Sequence, residues 1–284
     1  MNPIDGQPLP APDRAGPDGP GRCHAPAQGL ITSYVLLVFA LSIPVWLLGT
    51  TDLQLMPGLS ASALAAFCPA AAALILVHRR QGAAGAWALL QRSFDARRIQ
   101  AKRWYGPALL LMPGVSVVVY GLMRWLDLPL PDLHFAALPA LLMLLAFLVG
   151  ALGEELGWSG YLLDLAQRRW GGLGAGAALG LVTALWHLPP LWLSQRGPAW
   201  IAWWCLYAVA ARMLIVWLYD KTGGSVFAVV LFHAMLNLSY MLFPVYGSHF
   251  DMRLGGLVTA CVAGVVCVAW RPPARPVDAR AGDR

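Results

Sequence analysis

Two adjacent glutamates, Glu154 and Glu155, lie in the stretch GEELGWSGYLL (153–163), inside a segment otherwise apolar enough for a buried helix. Of 14 acidic residues twelve are aspartates, so these two are the only glutamates in the chain. Two histidines have similar surroundings, His187 in ALWHLPP and His233 in LFHAMLN, where Asn237 follows four residues on. A carboxylate or histidine moves a proton to or from water, and an asparagine amide donates to a developing oxyanion. That set suits hydrolysis of an acyl bond. There is no HExxH, which excludes a zincin-type helix. Two blander roles fit the same residues. A histidine can simply bond one helix to another, and a glutamate pair can relay protons or cations in a transporter.

The surroundings of these residues are those of a membrane protein. The chain of 284 residues is 58% hydrophobic and 12% charged, with a mean hydropathy of +0.61, where soluble domains run near 25% charged. The bilayer is therefore taken as solvent. Eight apolar stretches are long enough to span it, near 29–50, 59–78, 104–123, 138–160, 174–194, 199–219, 225–243 and 252–270. This predicts an all-α polytopic domain over 29–270. It is flanked by Pro- and Gly-rich residues 1–28 and basic residues 271–284, both expected to be disordered. Five scattered cysteines give neither a disulfide framework nor a metal motif.

Charge sets the orientation. With a cytoplasmic N-terminus, sixteen of the 20 Lys and Arg residues lie inside. Three (Arg124, Arg196, Arg253) lie outside, and Arg212 falls within the sixth span. Both termini are thus expected on the cytoplasmic side of the cell (inner) membrane, and the net charge of +6 reflects this bias rather than nucleic-acid binding.

Helical rise then places Glu155 roughly 21 Å, His187 roughly 20 Å and His233 roughly 18 Å from the basic surface. Three separate stretches deliver ionisable groups to one depth. At about 100° per residue the two glutamates face different directions: Glu155 shares a face with position 159, Glu154 with Trp158, and His233 with Asn237.

The stretches GEELGWSGYLL, ALWHLPP and GGSVFAVVLFHAMLN resemble the three motifs EExxxR, FxxxH and HxxxN of the CPBP family. These are the CAAX-processing and bacteriocin-processing (Abi) intramembrane proteases, typified by the type II CAAX prenyl endopeptidase. The resemblance covers 138–243. The GWSG string also resembles the serine motif of rhomboid proteases, but that reading leaves the glutamates without a role. The CPBP resemblance implies eight helices around a cytoplasm-facing cavity, and an intramembrane endopeptidase acting on a hydrophobic or membrane-tethered peptide. It implies Glu154 as the base, His187 helping to hold the water, His233 and Asn237 at the oxyanion, and Glu155 in support. Glu154, His187 and His233 are also a ligand set that Zn2+ or another divalent metal accepts, while the same residues activate water without one. An inactive family member acting as membrane chaperone or regulator, and a proton- or ion-coupled transporter, remain as alternatives.

Two positions depart from the motifs. Thr183 stands for the phenylalanine, and Ser159 for the arginine that neutralises the second glutamate. A replacement cation is expected in Arg212, roughly 13 Å deep by helical rise, with Ser159 making room or donating a hydrogen bond.

Overall fold

A computed structural model describes residues 25–270 except 52, 57–58 and 133–135. Residues 1–24 and 271–284, most of the two expected tails, lie outside the described residues. The helices are α1 (Ala25–Trp46), α2 (Cys68–Gln91), α3 (Tyr105–Trp125), α4 (Ala137–Gly157), α5 (Leu163–Leu193), α6 (Pro198–Lys221), α7 (Val226–Met241) and α8 (Met252–Ala269). In lipid every backbone group must be satisfied within the chain, which is why apolar sequence of this length becomes helix. A small antiparallel pair, β1 (Gln54–Met56) and β2 (Leu59–Ser60), links α1 to the 3-10 turn before α2.

Six helical segments among the described residues are long and apolar enough to cross a membrane, and Val226–Met241 is a shorter apolar helix. One of the six, Ala137–Leu193, is not straight. Gly171 adopts φ 71°, ψ 176° inside it, a left-handed conformation that glycine takes at least cost. Counting its two arms separately gives eight apolar helices. Two boundaries differ from expectation. Helix α1 begins at Ala25 within the expected tail, its Pro26 sitting in the first turn where no amide donor is required. Helix α2 breaks at Gly82 (φ 67°) and resumes as a helical arm through a stretch expected to be loop.

Between α4 and α5 the chain does not break. A π turn, Trp158–Leu162, joins them, so residues 137–170 form one rod of roughly 50 Å. Its GxxxG face packs on the start of α2. A Cβ at Gly153 would meet the Ala66 carbonyl at 2.7 Å, and one at Gly157 would collide with the Pro69 backbone and the Tyr34 hydroxyl. This close approach fixes which faces of α4 the glutamates between the two glycines present.

At the basic end the rod is clasped. Arg92 donates through Nη1 to the Gly160 carbonyl (2.5 Å) and Asp164 Oδ2 (3.1 Å), and through Nη2 to Tyr219 Oη and the Gly224 carbonyl (3.3 Å). Beside it Asp95 caps α7, Oδ1 accepting from Ser225 Oγ (2.8 Å) and the Phe227 amide (3.1 Å). A carboxylate at a helix N-terminus meets the unpaired amides and the positive end of the dipole. The register of α7, which carries His233 and Asn237, is set there.

Candidate active site

The two glutamates have opposite surroundings. Glu155 is wholly buried and saturated with donors. Arg212 Nη1 lies 2.9 Å from both of its oxygens, His233 Nδ1 lies 2.8 Å from Oε1, and Ser159 Oγ donates to Oε2. The side chains of the Arg212–Glu155 pair are 5% and 0% exposed. A buried carboxylate needs such a complement of donors to stay charged. Glu154, one residue earlier, has almost none. Its Oε2 is buried with no hydrogen-bond partner, and Oε1 stands 4.0 Å from His233 Nε2.

Both histidines are oriented through Nδ1. His187 Nδ1 lies 2.7 Å from the Thr183 carbonyl, which can only accept, so the proton sits on Nδ1 and Nε2 is the free nitrogen. The ring is also flanked by Trp186 (4.6 Å between centroids) and Trp204 (4.9 Å). His233 Nδ1–H donates to a carboxylate already gripped by Arg212, again leaving Nε2 toward Glu154.

Glu154, His187, His233 and Asn237 line one cavity of about 260 Å³. Asn237 makes no hydrogen bond among the described residues. The cavity continues past Trp200, Trp204, Tyr207 and Tyr240 to Ser194 and Arg196, both exposed, in the turn between α5 and α6. Its rim is therefore at the end opposite Arg92, Arg168 and Lys221. His187 is only seven residues from Ser194, so the cavity opens toward the end away from the basic surface, whereas the resemblance implies a cytoplasm-facing cavity. By the charge count that end is outside.

Residues 136–239, the part of the chain that carries the whole cluster, match the family described as Type II CAAX prenyl endopeptidase Rce1-like. CAAX prenyl protease 2 of Methanococcus maripaludis is 28% identical to this chain over 111 residues, 36% of this chain and 41% of that protein. The chain thus matches less than half the length of that curated relative.

Within this matched segment the two motif departures have structural counterparts. Ser159 sits in the π turn and bonds Glu155, while the guanidinium comes from α6 as Arg212. Thr183 back-bonds to the Leu179 and Gly180 carbonyls (2.9 and 3.1 Å) and offers its own carbonyl to His187. The aromatic wall was missed in the sequence. Its signal is there: Trp200, Trp204, Tyr207 and Ala211 recur at 4, 3 and 4 residues along one face of α6, the last of them adjoining Arg212. As metal ligands the three residues fit poorly, since no group of three His, Cys, Asp or Glu among the described residues is placed to hold an ion.

Proposed function

We propose that this multi-pass membrane protein is an intramembrane endopeptidase in which Glu154 activates the attacking water. The observation that carries the reading is the contrast between the glutamates: Glu155 is saturated, whereas Glu154 keeps an unpartnered buried oxygen in a cavity wall it shares with His187, His233 and Asn237. A water between Glu154 and His187 Nε2 gives its proton to the carboxylate as its oxygen bonds to the scissile carbonyl carbon. Asn237 donates to the resulting oxyanion. When His233 carries protons on both nitrogens, Nδ1–H stays on Glu155 and Nε2–H adds a second donor. Glu154 then returns the proton to the leaving amine as the C–N bond breaks.

The substrate in this reading is a hydrophobic or membrane-tethered peptide. With both termini cytoplasmic it is cut from the non-cytoplasmic face, through the rim at Ser194 and Arg196. The proteomes of membranes carrying the wild type or Glu154→Ala test both points. Membrane peptides should lose a cleavage in the variant, with the cut site on the non-cytoplasmic side. An unchanged proteome, or the same cleavage retained by Glu154→Ala, would count against Glu154 as the base.

A further inference from the structure

A second cavity, of about 430 Å³, lies at the basic end between α1, α2 and the rod, and shares no lining residue with the reaction cavity. Arg80, Arg92 and Arg168 line it together with Asp164 and Tyr161. The one acid in the wall is already answered: Asp164 accepts from Arg92 through Oδ2 and from Tyr219 through Oδ1 (2.8 Å). Arg80 and Arg168 are exposed and have no ion pair or hydrogen bond among the described residues. Two polar atoms of the wall, Tyr161 Oη and Arg92 Nε, are buried without a partner. A buried unpaired donor is costly enough that natural proteins rarely leave one unanswered. Beneath the cations the floor is apolar, formed by Leu30, Val77, Leu89 and Leu165.

We propose that this cavity binds a phosphate-bearing anion, the headgroup of an anionic phospholipid in the leaflet at the basic end. Guanidinium and phenol donors match phosphate oxygens. The leucine and valine floor suits the glycerol and upper acyl carbons of a lipid and has nothing to offer a free phosphate. Basic pockets between membrane helices are placed to take such headgroups. The site does not depend on the chain being a protease.

The test uses the full chain in neutral detergent and reads the thermal unfolding midpoint with added phosphatidylglycerol, phosphatidylcholine or inorganic phosphate. A ligand that binds only the folded state raises the midpoint. Phosphatidylglycerol should raise it and phosphatidylcholine should not. Arg80→Gln/Arg168→Gln should lose most of the rise, and Tyr161→Phe part of it. Arg79→Gln/Arg97→Gln, which removes two exposed cations outside the cavity, should keep it. Because Arg80 and Arg168 hold no partner, their double variant should unfold at the wild-type midpoint without lipid. An equal rise with phosphatidylcholine, an undiminished rise in Arg80→Gln/Arg168→Gln, or an equal loss in Arg79→Gln/Arg97→Gln overturns the site. A rise with inorganic phosphate that depends on Arg80 and Arg168 overturns the lipid source and assigns the cavity to free phosphate.

Discussion

Two arginine–carboxylate clusters hold this bundle, and they differ in how much water reaches them. In mid-bundle Arg212 grips Glu155 with 5% and 0% of the side chains exposed; at the basic end Arg92 grips Asp164 with 20% and 42% exposed. The contact chemistry is the same. The consequence of losing one partner is not, because a charge left in a dry interior has no water to take over, whereas Asp164 does. The dry cluster is also the one next to Glu154, the proposed base, so Arg212, Glu155 and the Ser159 hydroxyl hold His233 and the π turn in place.

The largest effect should follow from breaking the dry pair. Arg212→Ala leaves Glu155 with Ser159 and His233 alone, and should destabilise the protein by about 3–5 kcal/mol, read as denaturation in detergent. A loss no larger than that of Arg92→Ala would remove the contrast between the clusters.

Next comes Glu154→Gln, which should separate activity from stability. Its carboxylate has no bonded partner to lose, so the unfolding midpoint should stay near that of the wild type while proteolysis falls by about 100-fold or more. Near-normal turnover would remove Glu154 as base. A large fall in stability would mean that Glu154, too, is held by partners.

At the wet cluster, Arg92→Ala removes bonds to Gly160, Asp164, Tyr219 and Gly224. Partial exposure of the pair limits the loss to about 1–2 kcal/mol. Turnover should fall less than in Arg212→Ala, since only the far end of the rod loosens. An equal loss of turnover would show that the clasp sets the active-site geometry as strongly as Arg212 does.

Much of this arrangement was legible in the residues. Hydropathy gave eight apolar helices within a few residues, since length and apolar composition dictate helix in lipid. Helical rise brought Glu155, His187, His233 and Arg212 to neighbouring depths, and the fold gathers Glu155, His233 and Arg212 into one hydrogen-bonded cluster. The π turn was not legible, because a one-residue slip in hydrogen bonding leaves no mark in GWSGYLL. The end at which the cavity opens was not legible either. Depth measured from the basic surface says nothing about which end is open; that depends on how α5, α6 and α7 splay around Trp200, Trp204 and Tyr240.

Ser159 is the smallest lever and the sharpest probe of the dry cluster. It supplies one of the donors to Glu155, and the others stay in place when it goes. Ser159→Ala should therefore cost about 1 kcal/mol. The informative variant is Ser159→Arg, measured in a cycle with Arg212→Ala. Alone it places a second guanidinium against a carboxylate that already has one, and should destabilise the fold. Combined with Arg212→Ala it restores a single cation from within the same rod and should recover most of the lost stability. Recovery would mean that the two positions are alternative sources of one charge. If the double variant were as unstable as Arg212→Ala, the π turn would be pointing position 159 so that only a short side chain reaches Glu155, and Arg212 would be irreplaceable from that helix.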